Sequence, residues 1–362
     1  MRLRPEPEIM GLAPGTHGGI NPAELKAAGV RPEDVLDFSV SSNPYMPPPG
    51  IRRVLAAADI SRYPDSLVGA LRERLAGMLA VSPESIIVGS GTTEIIRLIA
   101  QAYFRQGQRA LLLAPTYGEY DIACRIAGVQ LTEHRLRAEN DFRLLPEEAA
   151  ELIPRYRPEV MFLCNPNNPT GQYLGREKVE ALLAGLGDGL LVLDEAYIAF
   201  VEDAWNSLDL AARGNVIILR SMTKDWGMCG LRLGYAVATP PVIDVLRRVC
   251  PPWNVNIAAQ EAGAAALAWT DYLTASLRKV RRGRDYLVRE LTRMGYRVLP
   301  TEANYFLVEV GDAAAFRAKL LPQGILVRDC TSFGLPEYVR LAPRTLPECR
   351  RLVHTVAALS HG

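Results

Sequence analysis

Six short apolar runs, each stopped by a polar or Pro/Gly signal, constrain this chain most. They are "SIIVGS" (85–90), "RALLLAP" (109–115), "VMFLCNP" (160–166), "LLVLDEA" (190–196), "NVIILRS" (215–221) and "LRLGYAVA" (231–238). Each reads as a strand buried on both faces, and helical patterns lie between them. Such strands require an α/β fold: a mostly parallel central sheet with helices on both faces. Ligands of an open parallel sheet sit at the carboxyl ends of its strands. The polar segments that end the runs, 89–93, 165–171, 194–197 and 221–224, are therefore expected to meet in one cleft.

A length of 362 residues exceeds what one core usually holds, so two domains are expected. Residues 1–44, rich in Pro and Gly with a helical stretch near 22–28, read as an arm over the site. Residues 45–250 form the large domain. Residues 251–362 form a smaller α+β domain, with a long helical region at 257–295 and apolar runs such as "NYFLVEV" and "YVRLAP". Pro251-Pro252 marks the expected hinge, since neither residue continues a helix. The net charge of +1 offers no field for nucleic acid or an acidic membrane. Four histidines and six scattered cysteines show no metal spacing, so no metal is expected and the cysteines read as free thiols. With no secretory signal and no run of about eighteen apolar residues, a cytoplasmic location is expected.

The strand ends carry the chemistry. Lys224, in "SMTK", follows a buried run among hydroxyl residues. Burial lowers an amine's pKa and makes it a nucleophile toward carbonyls, although a lone lysine at a strand end can equally face solvent. Asp194 ends another apolar run, where a buried carboxylate needs a cationic partner. A pyridinium nitrogen is such a partner: pyridoxal phosphate uses a lysine and an aspartate opposite the ring nitrogen. "GSGTTE" (89–94) runs from a strand through a Gly-rich turn into a helix. Such an N-terminus holds phosphate, or is simply a cap. Tyr117 in "APTYGEY" could stack on a planar ring or be a half-buried core tyrosine. Asn168 could donate to a phenolic oxygen, and Arg232 could reach a phosphate.

"GSGTTE", "CNPNNPTG", "LDEAYIAF" and "SMTKDWGMCGLRLGYA", in this order, resemble fold-type I pyridoxal-phosphate enzymes of the aspartate aminotransferase superfamily. The resemblance runs from about His17 to about Arg344. It implies that Lys224 carries pyridoxal 5'-phosphate and Asp194 pairs with the ring nitrogen. Tyr197 and Asn168 would contact the ring hydroxyl, and Tyr117 would stack on the ring. Gly91, Thr92, Thr93, Ser221 and Arg232 would hold the phosphate. Tyr63, in "RYPD", would reach the phosphate of a neighbouring subunit, which implies a homodimer with its sites at the interface.

The arm "HGGINPAELKAAGVRPEDVLDFSVSSNP", with "PPWNVN" and "ILVRDCTSFGLPEYVRLAPR", resembles threonine-phosphate decarboxylases of cobalamin biosynthesis. Histidinol-phosphate aminotransferases share the core but usually lack the His-Gly-Gly. On this resemblance His17, Gly18, Asn43, Asn168 and Arg328 line the substrate pocket, and Arg340 holds a carboxylate. The expected reaction is decarboxylation of O-phospho-L-threonine to aminopropanol phosphate. The alternatives are an aminotransferase of the histidinol-phosphate type using 2-oxoglutarate, and a non-catalytic binder of a phosphorylated metabolite. Two departures fall near the pocket: "VSSNP" stands where the subgroup often has "ANINP", and Asp225-Trp226 stands where it has an aromatic pair.

Overall fold

The computed structural model describes residues 7–12, 15 and 17–360. Its large sheet has seven strands in the order Ile86–Gly89, Gly234–Val237, Val216–Ser221, Leu190–Asp194, Val160–Cys164, Arg109–Ala114, Gln130–Arg135. Pairing is parallel except around Gly234–Val237, which runs antiparallel to both neighbours. All six apolar runs are strands of this sheet. Alternate residues feed two separate cores: Leu111, Met161, Leu191 and Ile218 on one face, Leu112, Phe162, Val192 and Ile217 on the other. The period of two in side-chain direction explains why these runs are apolar throughout.

The seventh strand, Gln130–Arg135, carries no apolar run. It lies at the sheet edge, where only one neighbour pairs with it and its side chains stay largely in solvent. An edge strand does not need the two-faced hydrophobic pattern, so the sequence gives it no such mark.

The second unit has an antiparallel sheet in the order Arg328–Asp329, Tyr338–Leu341, Phe306–Glu309, Arg297–Val298. The end of the arm joins this unit: Leu36–Asp37 pairs in parallel with Ile325–Leu326, and Phe38 is fully buried in the second unit's core. Asn43 N–H then bonds the Lys224 carbonyl at 2.8 Å. The arm thus crosses from one unit to the other beside the lysine.

The packing departs from a division at the double proline. The helix Ile257–Ala266 buries Ala259, Ala262 and Ala266 in a core of the large unit. A Cβ on Gly263 would lie 2.5 Å from a Leu233 methyl, so the helix sits as close as glycine allows. The chain passes to the second unit along the 24-residue helix Thr270–Arg293. Prolines break helices, but which unit a helix joins is set by the face it buries. No helix among the described residues is long and apolar enough to cross a membrane. All six cysteines are free thiols, and among the described residues no cluster of His, Cys, Asp or Glu could hold a metal.

Candidate active site

The strand ends meet as the topology requires. One cavity at the carboxyl edge of the large sheet is lined by Thr92, Thr93, Tyr117, Asn168, Asp194, Tyr197, Ser221, Lys224 and Arg232. A wider cleft continues from it past Lys224 to His17, Gly18, Arg328 and Arg340.

Asp194 is 3% exposed. Tyr120 Oη donates to its Oδ2 at 2.7 Å and the Ala196 N–H to its Oδ1 at 2.9 Å. Burial nevertheless pushes its carboxyl up to about 6. Two donors leave the anion short of compensation, and a cationic ring nitrogen would supply the remainder. Sequence reasoning missed Tyr120. It is held flat against Phe162 at 4.8 Å and lies on the helix Glu119–Ile126, three residues from the expected ring-stacking tyrosine. That one-turn spacing in "TYGEY" was the available signal.

Lys224 Nζ lies 5.8 Å from the Tyr197 ring centroid. Tyr117 Oη and Thr93 Oγ1 are 3.1 Å apart, and desolvation pushes the Tyr117 phenol up to about 12, so it stays a neutral ring. Asn168 accepts from Arg340 through Oδ1, while its Nδ2 makes no hydrogen bond among the described residues. That amide group is free to donate into the cavity.

The phosphate cradle is built by glycine. Gly91 caps the helix Thr92–Tyr103 at φ +81°, and a Cβ there would lie 2.8 Å from Arg232 Nη2. Gly234 allows the same closeness on the other side: its Cβ would fall 2.7 Å from the Thr92 nitrogen. Glu94 fixes the turn by accepting from Ser90 N–H and Asn254 Nδ2, each at 2.6 Å. Ser221 Oγ and Thr223 Oγ1 stand 2.7 Å apart at the next strand end. Helix N–H groups, hydroxyls and a guanidinium make a seat for a dianion. An anion-sized seat, a lysine, a free amide donor and an undercompensated buried carboxylate together fit pyridoxal phosphate.

Arg328 and Arg340 face each other in register across antiparallel strands, and each is 6% exposed. Arg340 donates to Asn168 Oδ1 and, at 2.9 Å, to the Ser39 carbonyl of the arm, and lies over the Tyr305 ring. Among the described residues its Nε is buried without a partner, an unspent donor. Arg328 donates to Ser332 Oγ at 2.6 Å beside Phe333.

Two expected site residues, Asn43 and His17, sit differently. Asn43 does not line the cleft: its Nδ2 is spent on the Asp225 carbonyl and Ser276 Oγ, and its Oδ1 accepts from Tyr45 N–H. It fastens the arm beside Lys224 instead. His17 reaches the cleft mouth but faces a carboxylate, Glu119, at 3.5 Å, a poor station for gripping a phosphate. Tyr63, expected at the site of a neighbouring subunit, lies outside this chain's own cavity, 77% exposed and stacked on Trp253 at 4.3 Å. Gly18 has a packing reason: a Cβ there would lie 2.7 Å from the Ser39 carbonyl that Arg340 also uses. Burial pushes Asp225 up to about 7, although the Trp226 N–H donates to its Oδ1 at 3.0 Å.

The aminotransferase class I and II family model matches residues 33–356. The chain belongs to that family. It is 36% identical to the histidinol-phosphate aminotransferase of Moorella thermoacetica over 92% of this chain and 87% of that one. The histidinol-phosphate aminotransferase structure from Sinorhizobium meliloti, which holds pyridoxal-5'-phosphate, superposes with a TM-score of 0.88 at 24% identity, over 99% of both chains. An L-threonine-O-3-phosphate decarboxylase structure from Porphyromonas gingivalis gives 0.79 at 28% identity, over 90% of this chain and 99% of that one. The protein is a fold-type I enzyme, and pyridoxal phosphate is its cofactor.

Proposed function

We propose that this aminotransferase-family enzyme is of the histidinol-phosphate type, exchanging an amino group between a phosphorylated amine and an oxo acid such as 2-oxoglutarate. The observation that carries the reading is the pair of buried guanidiniums, Arg328 and Arg340, opposite one another in the cleft that holds Lys224. Transamination admits two substrates in turn. One brings a phosphate and the other two carboxylates, and arginine grips either anion bidentately. Relatives over nearly the whole chain carry that activity in their names, which moves the reading away from the decarboxylase expected from the arm.

In the proposed mechanism Lys224 holds the cofactor covalently, Asp194 faces its ring nitrogen, and Asn168 and Tyr197 donate to its ring oxygen. Gly91, Thr92, Thr93, Ser221 and Arg232 hold its phosphate. Bound there, pyridoxal phosphate supplies an electron-accepting ring. Asp194 keeps the ring nitrogen protonated. Arg340 and Arg328 fix the substrate so that its Cα–H bond faces Lys224, whose amine, freed when the substrate's amine displaces it, takes the proton from Cα and returns it on the other side of the exchange. Tyr117 covers the ring and excludes water. A homodimer is part of the proposal, in which Tyr63, 77% exposed in this chain, donates to the cofactor phosphate of a second copy.

A second reading, decarboxylation of O-phospho-L-threonine, is favoured by the arm. There Gly18 presses on Ser39, whose carbonyl holds Arg340, so the arm could set a carboxylate perpendicular to the ring. Incubation with histidinol phosphate and 2-oxoglutarate, against O-phosphothreonine alone, tests both. Glutamate formation supports the first reading. Carbon dioxide release without glutamate supports the second and overturns the first.

A further inference from the structure

One patch of the cleft belongs to neither the cofactor seat nor the arginine pair. Glu119, 7% exposed, begins the helix Glu119–Ile126 two residues beyond Tyr117. Arg97 Nη2 donates to its Oε2 at 2.7 Å. Its Oε1 accepts no hydrogen bond among the described residues; His17 Nε2 approaches to 3.5 Å, beyond a well-formed bond. Gly15 closes over the pair, where a Cβ would lie 2.9 Å from Oε1 and 3.0 Å from Nε2. The His17 ring lies 6.2 Å from the Tyr117 ring, tilted by 47°. An imidazole, brought by the arm, thus already occupies the corner between Glu119 and Tyr117.

We propose that Glu119 is a specificity-determining residue: Oε1 accepts an N–H from a nitrogen heterocycle on the substrate, which takes the corner held by His17. The inference rests on the reading of a phosphorylated amine as substrate and names its other end. A carboxylate with one oxygen tied to Arg97 and the other uncommitted is an acceptor awaiting a donor. A phosphate or carboxylate in that corner would meet like charge. The anionic end of a substrate therefore goes to Arg328 and Arg340, and a neutral or cationic ring goes to Glu119, with Tyr117 as its apolar wall. With Glu119 only 7% exposed, bulk water competes little for Oε1.

The test measures dissociation constants of the holoenzyme for histidinol phosphate and for phosphoethanolamine, which has the amine and phosphate without a ring. Wild type should prefer the ring-bearing ligand. Glu119→Leu should erase roughly 10-fold or more of that preference, the size of one hydrogen bond to a charged group. Glu119→Gln, which keeps an acceptor for Arg97, should erase a smaller part and decides the matter if the leucine variant does not fold. His17→Ala should keep or increase the preference, because it empties the corner without removing the acceptor. The proposal is overturned if wild type shows no ring preference, or if the ratio is unchanged in both Glu119 variants. Failure of the transamination reading is seen separately, as no glutamate from 2-oxoglutarate with either amine, while the binding ratio still reports on Glu119.

Discussion

Tyr120 Oη donates to Asp194 Oδ2 at 2.7 Å, yet burial still holds the Asp194 carboxyl at about 6 against an ordinary value of 3.8. A folded value above the unfolded one means that the native state favours the protonated form. The resulting stability is complete below about pH 4 and is lost as the pH rises through about 6. Two units correspond to about 3 kcal/mol in the cofactor-free protein. Asp194→Asn removes this dependence. Relative to wild type, the variant should therefore gain about 3 kcal/mol between pH 4 and pH 7, read by urea unfolding at both values. Tyr120→Phe should steepen the wild-type slope, since it removes a donor to the anion. An Asp194→Asn difference that does not vary with pH would mean the carboxylate is ionised throughout, and the electrostatic account of the ring-nitrogen site would fail.

Lys224 has its amine in the cavity beside Tyr197 and among the cradle residues. Lys224→Ala should still admit the cofactor, because Gly91, Thr92, Ser221 and Arg232 remain. Borohydride should then fix no cofactor to the chain, as judged by peptide mass. Turnover should fall on the order of 10⁴-fold or more, the scale of losing both nucleophile and proton carrier. Wild-type turnover in the variant would remove Lys224 from the chemistry.

Gly91 combines a left-handed backbone with contact to Arg232. Gly91→Ala should cost roughly 1–3 kcal/mol locally and weaken cofactor binding roughly 10- to 100-fold, measured by fluorescence titration of the cofactor-free protein. Gly77 is the control. It lies in the helix Gly69–Leu79 with nothing within 4 Å of its Cβ position, so Gly77→Ala should leave binding alone and stabilise the fold slightly. Equal losses in both variants would show that Gly91 matters only to folding.

The residues differ in how openly the sequence announces them. Lys224, Asp194, Asn168 and Ser221 sit where an apolar run stops, and a parallel sheet collects its strand ends in one place, so their convergence followed from period and topology. Tyr120, Glu119 and Arg97 carry no such mark. Each lies on a helix, and whether a helical side chain points into a cleft depends on which face the helix buries. Asn43 shows the converse. Its place beside a site motif implied a ligand contact, but Asp225, Ser276 and Tyr45 use up its amide. Those partners lie up to 233 positions away, and local pattern does not report them.

Arg328 and Arg340 share the cleft but not the same neighbours, so their loss should be distinguishable. Arg328 is held by Ser332 and Phe333, neither of which lines the cofactor cavity. Arg328→Ala should raise KM for a phosphorylated amine roughly 10- to 100-fold with little change in kcat, because it removes binding equally from ground and transition states. Arg340 also donates to Asn168, which lines the cofactor cavity. Arg340→Ala should therefore raise KM for the oxo acid and lower kcat together, since Asn168 loses the partner that orients it. Lysine at either position keeps the charge but not the two-pronged grip, so Arg328→Lys should recover only part of the affinity. Steady-state kinetics with each substrate varied in turn gives kcat and both KM values for each variant. If Arg328→Ala weakens phosphorylated and unphosphorylated amines alike, the phosphate lies elsewhere, and the division of labour between the two guanidiniums is wrong.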